Sequence, residues 1–448
     1  MSFLLKSATL ATLDPHRVEL ADLRIEGTRI VERGHDLEPR PDDEVTHLAG
    51  KLVMPGMVCA HTHLYSALAR GMPAPLRAPS DFREILELIW WRLDRALDEE
   101  TIYYSALAGA LDAARAGTTC LFDHHASPSH IGGSLQIVRE AIEKVGLRAV
   151  LCYEVTDRNG TAQRDGGIEE NRAFLEWVRR SEAQRRAVET GAGRNSSLLR
   201  AMVGAHASFT MSDESLRLCA ELMREFGAGL HIHAAEDLCD VEDARQKYGT
   251  GVAERLEDLE ALSPRTILAH GVHLDDRDIA IARERGAWIA HNPRSNMNNQ
   301  VGYAPVSKFL PRLLMGTDGI GGDMFEESRF AFFRGRDAQS SLDAGDWIRV
   351  LANNQRLASE MFGIELNSLQ PGSAADLLVL DYKSPTAVTK ENLAWHMMFG
   401  LDSTSVESVM VAGAFVIKDR TPGFDIEASY EKIRRASKRL WAKIGETM

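Results

Sequence analysis

The chain alternates between short apolar runs and helical segments over most of its length, and this alternation restricts its fold more than any other feature. Eight apolar runs are separated by stretches long enough for a helix. They cover residues 57–61, 118–123, 148–155, 200–206, 229–233, 266–270, 287–291 and 313–317. Strands that alternate with helices pair in parallel, because each crossover helix returns the chain to the same end of the sheet. The sequence therefore predicts an α/β fold built on a parallel sheet.

Eight units in series favour a closed (β/α)8 barrel. The stretch from His61 to Asp318 is close to the roughly 250 residues that such a barrel needs. A doubly wound open sheet is the structural alternative. Asp98 and Gly117 are a predicted N-cap and stop for the helix that follows the first strand. Residues 64–97 form a long insertion before that helix and could fold over a site.

Composition excludes several classes of protein. Lys and Arg total 52 against 65 Asp and Glu, which leaves a net charge of −13, so the chain has no basic surplus for nucleic acid or anionic membranes. Its five cysteines are odd in number and form no C-x-x-C pair, which favours free thiols in a reducing compartment. There is no signal-peptide pattern and no apolar run of membrane-spanning length. We expect a soluble cytoplasmic enzyme with a small-molecule substrate.

Chemistry-bearing side chains stand at the ends of these predicted strands. Seven of the eight runs finish in, or are followed at once by, such a group; the third run has only Glu154, one residue early. The groups are His61, His63, Asp123, His206, His233, His270, His291 and Asp318. Barrel enzymes work at the carboxyl ends of their strands. Because His-x-His on a strand puts both imidazoles on one face, His61 and His63 can chelate a metal ion.

Several motifs resemble those of the metal-dependent amidohydrolase superfamily, in its deaminase and chlorohydrolase branch. They are Pro-Gly at 55–56 before His-x-His, His-Ile-His-Ala-Ala-Glu at 231–236, Ala-His-Gly-Val-His at 269–273, His-Asn-Pro-Arg-Ser-Asn at 291–296 and Gly-Thr-Asp-Gly at 316–319. Closer similarity is to the SsnA-type aminohydrolases. It is carried by the segments at 90–98, 123–128, 295–299 and 323–327. The resemblance covers nearly the whole chain.

The resemblance implies a domain layout and a role for each matching residue. The barrel would span 55–365, a small flanking β-sandwich would combine 1–54 with 366–420, and 421–448 would form a C-terminal helix. One divalent metal would be bound by His61, His63, His233 and Asp318. Glu236 would shuttle protons and His270 would hold the attacking water, with Asp318 as the base.

A single metal is predicted, because the fourth strand ends in Val203-Gly204-Ala205-His206, without the lysine that bridges two metals in binuclear relatives. Three imidazoles and one carboxylate favour Zn²⁺, with Fe²⁺ or Mn²⁺ as alternatives. The resemblance further implies a homodimer or a larger homo-oligomer.

Other polar residues near the strand ends could contact substrate. The candidates are His206, His125, Arg294 and Asn292. The resemblance implies that His206 contacts substrate. The other three also have a structural explanation: His125 could cap a helix, Arg294 could pair with a surface carboxylate, and Asn292 could hold its loop. His231 is predicted to support the metal ligands rather than join them.

These features predict an aminohydrolase that attacks the amidine-like carbon of a nitrogen heterocycle, such as a purine, pterin or pyrimidine derivative, and releases ammonia. Hydrolytic ring opening of a cyclic amide and hydrolytic dechlorination use nearly the same groups and remain open. An alternative of another class is a non-catalytic accessory protein on the same barrel.

Overall fold

Strands from both ends of the chain flank a central barrel in the computed structural model, which describes residues 2–75, 77–188 and 198–446. Five strands come first: β1 Ser2–Leu13, β2 His16–Glu26, β3 Arg29–Gly34, β4 Asp43–His47 and β5 Leu52–Pro55. The barrel strands are β6 Met57–Thr62, β7 Thr118–His125, β8 Arg148–Val155, β9 Leu199–Ala201, β10 Val203–Ala207, β11 Leu230–Ala234, β12 Ile267–His270, β13 Trp288–His291 and β14 Leu313–Met315. The last four are β15 Leu377–Leu380, β16 Val406–Val411, β17 Ala414–Lys418 and β18 Thr421–Pro422.

The barrel strands pair in parallel and are arranged around the barrel in sequence order, from β6 to β14. The short strands β9 and β10 share the fourth position, where both pair with β8. Beside β6, the backbone N–H groups of Thr317 and Asp318 donate to the carbonyl oxygen of His61, at 2.9 and 3.0 Å. These bonds join the two ends of the sheet and bring Asp318 next to His61. The predicted barrel class is confirmed, and the open sheet was the wrong alternative.

The remaining strands form a second, mixed sheet that combines both ends of the chain. Its order is β18-β17-β16-β15-β5-β1-β2-β3, with β4 parallel to β1. The two ends meet where β15 pairs antiparallel with β5, with Leu377 opposite Pro55. The terminal helix begins at Ile426, since β18 extends the sheet to Pro422. Residues 447–448 of the predicted helix over 421–448 lie outside the described residues.

Fourteen α-helices surround these sheets in the described part of the chain. They are α1 Phe82–Ile85, α2 Trp91–Ala96, α3 Glu99–Arg115, α4 Ser134–Val145, α5 Thr161–Val188, α6 Asp213–Phe226, α7 Leu238–Tyr248, α8 Val252–Asp258, α9 Asp276–Glu284, α10 Pro293–Asn298, α11 Met324–Asp337, α12 Ala344–Phe362, α13 Leu393–Phe399 and α14 Ile426–Glu446. Asp98 caps α3 as predicted, since its carboxylate accepts from the Thr101 backbone N–H at 3.1 Å. Within the described residues, no helix is both long and apolar enough to cross a membrane.

Apolar side chains on the barrel strands form two clusters. Phe122, Cys152 and Trp288 belong to the one inside the barrel, and their alternating neighbours pack outward against the helices. Two residues further along each strand, the side chain again faces inward. This residue is His124 after Phe122, and Glu154 after Cys152. The apolar core therefore ends in a polar layer at the carboxyl end of the barrel, where a site is expected.

The insertion over 64–97 folds across this end of the barrel. It contains a 3-10 helix at Leu64–Ala69 and a π-helical turn at Leu86–Trp90, which joins α1 to α2. Such turns re-aim side chains and are frequent at functional sites. Here the segment brings Phe82, Trp90 and Trp91 to the wall of a cavity. The predicted position of the insertion over a site is confirmed.

A buried ion pair ties the barrel to the flanking sheet. Arg148 donates from Nε and Nη2 to the two carboxylate oxygens of Asp376, at 2.7 and 2.9 Å, and both side chains are 1% exposed. Removing one partner from such a pair leaves the other charge buried and uncompensated. We expect Asp376→Asn to lower the free energy of unfolding by about 3–5 kcal/mol, measured by chemical denaturation.

The control for this experiment is the exposed ion pair of Arg356 with Asp14, at 2.9 Å. Asp14→Asn should change the free energy of unfolding by less than about 1 kcal/mol, because water already screens the pair. Equal effects of the two substitutions would show that the buried pair has no special role.

Candidate active site

Four side chains from distant parts of the chain converge at the carboxyl end of the barrel. His61 is the penultimate residue of β6, His63 follows that strand, His233 stands on β11, and Asp318 follows β14. One ligand atom from each lies within 4.8 Å of the others. The structure brings together the four predicted ligands, and the donor set of three imidazoles and one carboxylate suits a divalent metal.

The protons on these imidazoles point away from the shared centre. Nδ1–H of His63 donates to the carbonyl oxygen of His124 at 2.6 Å, and Nδ1–H of His233 donates to that of His206 at 2.8 Å. Because a carbonyl can only accept, each Nδ1 carries a proton, and in the neutral form of each ring Nε2 carries the lone pair. These two lone pairs face each other at 3.1 Å. A cation between them would relieve this repulsion, so the arrangement fits a metal ion.

The pKa values of the predicted ligands also fit a metal ion. Burial lowers the pKa of His61 to about 3 and holds the pKa of His233 well below its usual value, so both imidazoles are neutral at pH 7, as metal binding requires. Burial also lowers the pKa of His63, but the Asp318 carboxylate at 3.0 Å outweighs it and raises the pKa to about 9. A metal ion must displace this proton to bind.

His231 supports the centre from behind, as predicted. Its Nε2 lies 2.8 Å from Nδ1 of His61, which leaves the Nε2 of His61 free for the centre. Nε2 of His61 has no hydrogen-bond partner among the described residues. The neighbouring His124 is also structural, since its Nε2 bonds the carbonyl oxygens of Ala205 and His231 at 3.1 and 3.0 Å.

The two predicted acid–base residues stand beside the centre. Nε2 of His270 is 3.5 Å from Oε2 of Glu236, and both lie close to Asp318. Nδ1–H of His270 donates to Oδ1 of Asn296 at 2.8 Å, so its Nε2 is an acceptor aimed at the site. Burial raises the pKa of Glu236 to about 7, against the lowering effect of His270. A carboxyl with a pKa near neutrality can both give and take a proton.

Three non-glycine residues at these strand ends have a backbone in the left-handed region. His270 and Asp318 have φ of +75° and +52°, and Ala235, next to Glu236, has +49°. Non-glycine residues adopt this region only where their surroundings hold them in it. Asp240 is one such support, since its carboxylate accepts from the backbone N–H groups of Ala235 and Phe209, both at 2.8 Å.

A cavity of about 790 Å³, which includes some open solvent, opens onto three of the four predicted ligands, His63, His233 and Asp318. Its apolar lining is formed by Phe82, Leu86, Trp90, Trp91, Phe209 and Ile320. Its polar lining includes His206, Glu154, Glu236, Asn298 and Asn299. The mixture of apolar side chains with a few polar groups is typical of small-molecule sites.

Of the four predicted substrate contacts, only His206 lines this cavity. Its Nδ1 lies 2.6 Å from the hydroxyl of Thr210. His125 is fully buried and bonds Ser127 at 2.9 Å. Arg294 donates to the carboxylates of Glu326 and Glu327. It is therefore paired with acidic side chains, which was its alternative, structural explanation.

Asn292 is also fully buried behind the site. Its Oδ1 lies so close to Gly316 that a Cβ there would approach it to 2.6 Å, which explains the glycine before Thr317.

The sequence did not assign roles to several residues that the structure places here. Asn296 orients His270, and the Nδ2 of Asn299 donates to Oε1 of Glu236 at 3.1 Å. Ser295 donates to Oδ2 of Asp318. The run Ser-Asn-Met-Asn-Asn at 295–299, directly after a strand end, was the available signal. Asp240 carried no such signal, and Glu154 was noted only as the polar group one residue before the end of the third run.

Known proteins of similar sequence are deaminases. The chain is 29% identical over 454 residues to the 5'-deoxyadenosine deaminase of Methanosarcina mazei, which covers 98% of this chain and 99% of that protein. It is 30% identical to the 5'-deoxyadenosine deaminase of Methanopyrus kandleri, over 84% of each chain. Identity to the 5-methylthioadenosine/S-adenosylhomocysteine deaminase of Thermococcus sibiricus is 28%, over 93% of this chain and 94% of that one.

Solved structures share the fold. An adenosine deaminase from Xanthomonas campestris with bound zinc superimposes with a TM-score of 0.83 at 21% identity, over 98% of both chains. An atrazine chlorohydrolase from Arthrobacter aurescens, in complex with zinc, gives 0.80 at 22% identity, over 97% of this chain and 100% of that one.

The family profile of the amidohydrolases matches residues 52–416, a stretch that contains all four ligands, Glu236 and His270. This confirms the predicted superfamily and the prediction of an enzyme that hydrolyses carbon–nitrogen bonds, and the non-catalytic accessory protein was the wrong alternative. The narrower likeness to SsnA-type aminohydrolases stays a prediction. The chain belongs to the amidohydrolase family.

Proposed function

We propose that this protein is a zinc-dependent deaminase that replaces the exocyclic amine of an adenine nucleoside by oxygen and releases ammonia. The relatives named above act on adenosine derivatives. The observation that carries the proposal is the placement of Glu236 and His270, 3.5 Å apart and beside the four convergent ligands. This set of groups can deliver one water to a carbon and two protons to nitrogen.

His61, His63, His233 and Asp318 would hold the zinc ion. Bound there, zinc supplies Lewis acidity that lowers the pKa of water towards about 7. A site with three neutral imidazoles and one carboxylate leaves a position open for that water.

The acid–base work belongs to residues of this chain. Nε2 of His270 accepts a hydrogen bond from the attacking water and orients it. Asp318 takes a proton from this water as its oxygen bonds to the amidine carbon. Glu236 gives a proton to the adjacent ring nitrogen, takes the proton of the hydroxyl that is now on the carbon, and passes it to the exocyclic amine. The proton on Asp318 then returns to Glu236, which restores both groups. The carbon–nitrogen bond breaks, ammonia leaves, and the product is a cyclic amide.

The test is ammonia release from purified, zinc-loaded protein given 5′-deoxyadenosine and 5-methylthioadenosine. We expect stoichiometric ammonia together with the matching inosine-type product by mass spectrometry. Controls are cyclic amides such as hydantoin, for which ring opening would give a new carboxylate and no ammonia. The proposed deamination would be contradicted if the protein opened the ring of a cyclic amide and released no ammonia from any adenine nucleoside.

We also propose that the protein is a homodimer or a larger homo-oligomer in the cytoplasm. Four aromatic side chains are between 43 and 62% exposed on α11 and α13: Phe330, Phe333, Trp395 and Phe399. Exposed apolar patches of this kind mark association surfaces. Light scattering should give at least twice the 49.6 kDa of one chain, and a monomeric mass would contradict this proposal.

A further inference from the structure

The insertion over 64–97 supplies most of the apolar lining of the active-site cavity. Four of the six apolar side chains named above come from this one segment: Phe82, Leu86, Trp90 and Trp91. None of its described residues belongs to a strand of either sheet. Its position therefore depends on packing and on hydrogen bonds to other elements, and so does the shape of the cavity.

Helix α14 packs against the first part of this insertion through a tryptophan. Nε1–H of Trp441 donates to the carbonyl oxygen of Leu68 at 2.8 Å. Leu68 lies in the last turn of the 3-10 helix Leu64–Ala69, where carbonyl groups lack a partner within the helix. The indole ring also covers the next turn, since a Cβ at Gly71 would lie 3.8 Å from its Cη2. Trp441 thus holds the segment that directly follows the metal ligand His63.

A second hydrogen bond joins α14 to the last part of the insertion. Nη2 of Arg92 donates to the carbonyl oxygen of Ile444 at 2.7 Å. Arg92 lies on α2 directly after Trp91, a cavity residue whose ring centre is 6.2 Å from that of His206. The two bonds therefore hold the insertion near both of its ends, close to side chains that a ligand in the cavity would contact.

Helix α14 is itself anchored to the body of the protein. Arg439 and Lys443 pair with Asp98, the N-cap residue of α3. These ion pairs are partly exposed, and pairs of this kind contribute little to stability. The burial of an apolar face contributes more. Three aliphatic side chains of α14 form this face within the main core: Ile433, Leu440 and Ile444.

We propose that α14 is a brace for the substrate cavity, and that Trp441 and Arg92 are positioning residues that hold the insertion where its aromatic side chains meet the substrate. This role deepens the proposed deamination, on which only its kinetic readout rests. The metal ligands and the acid–base residues stand at the ends of barrel strands, which neighbouring strands hold in place. Loosening the brace therefore weakens substrate binding and leaves the chemical step intact.

Kinetics of ammonia release from 5′-deoxyadenosine test this role. In zinc-loaded W441A we expect KM to rise at least about tenfold while kcat stays within about threefold, because only binding is lost. W441F keeps the ring but lacks the donor, and R92M keeps the aliphatic stem but lacks the guanidinium. Each should raise KM about fivefold, the effect of one neutral hydrogen bond. R92K retains a donor and should lie closer to the wild type than R92M.

Unchanged KM in W441A and R92M would overturn the proposal. So would a loss of kcat together with bound zinc, since α14 would then support the metal centre and not the cavity wall. If W441A fails to fold, W441F and the two Arg92 variants still decide the question.

The matched control is W177A. Trp177 is a partly buried tryptophan on α5, where its ring stacks on Phe174 with centres 5.5 Å apart. None of the described residues of α5 lines the cavity. W177A should therefore keep the wild-type KM even where it lowers stability. A similar rise of KM in W177A and W441A would overturn the specific role of α14.

Hydrogen–deuterium exchange separates the brace from the proposed function, because it needs no substrate. In W441A, backbone amides of 64–97 should exchange at least about tenfold faster than in the wild type, with those of β11 unchanged, since only the insertion is released. This result would support the brace even if the wild type released no ammonia and deamination were rejected. Unchanged exchange in 64–97, or an equal acceleration in β11, would overturn the brace.

Discussion

Glu236→Gln lowers kcat for ammonia release by about three orders of magnitude, because general acid–base groups typically contribute 10²–10⁴-fold. Glutamine preserves the size of the side chain and can keep the contact with Asn299, which now lies 3.1 Å from Oε1. It cannot donate and accept protons in turn. None of the four ligands is altered, so metal content should stay near one equivalent. Steady-state kinetics and elemental analysis on one preparation measure both.

The matched control for this experiment is Glu242→Gln, an exposed glutamate on the neighbouring helix α7. It should retain wild-type kinetics, since its carboxylate faces water. A Glu236→Gln enzyme with unchanged kcat would remove this residue from the mechanism. A variant that lost both activity and metal would instead make Glu236 part of the metal site.

His63→Ala should abolish activity through loss of the metal. The substitution removes an imidazole that lies 3.1 Å from the Nε2 of His233 and 3.0 Å from Asp318. Without it, only two imidazoles and one carboxylate remain. We expect less than about 0.1 equivalent of bound zinc and a loss of at least four orders of magnitude in kcat/KM, since water unassisted by a metal is a poor nucleophile with a pKa near 15.7. Elemental analysis and ammonia assays measure these effects.

A histidine far from the site is the control. His47 is exposed on β4 of the flanking sheet, and His47→Ala should retain both metal and activity. Chelation of the wild-type enzyme should give the same loss as His63→Ala, and added zinc should restore activity to the wild type alone. Full activity of the His63→Ala enzyme would show that the four residues do not form the metal centre.

Local sequence was sufficient to predict the barrel and the positions of the reactive groups. Strand and helix periodicities depend on neighbouring residues, so eight units could be counted, and the cap at Asp98 agreed with the structure. Metal ligands were recognisable because imidazoles and a carboxylate recur at strand ends, and parallel strands place these ends together. The resemblance to a known family then assigned a role to each of them.

Polar contacts between segments that are distant along the chain were harder to predict from the sequence. Arg294 looked like a substrate anchor until the fold placed Glu326 and Glu327 beside it. Glu154 was noted near the end of its strand but received no role, because its partners, His124 and His206, come from other strands. In both cases the side chain's function depends on which charges lie within a few ångströms, and sequence spacing gives no measure of that distance.

The sequence by itself therefore determined the α/β barrel, through short-range periodicity, and placed reactive groups at the common end of parallel strands. Its resemblance to a known family then predicted the four ligands and the acid–base pair among those groups. Only the tertiary structure decided which nitrogen of each histidine faces the centre, which arginines are already paired, and that the cavity is lined with carboxylates. Those properties arise from packing and from the electrostatics of burial, which are set by the whole fold and not by any one segment.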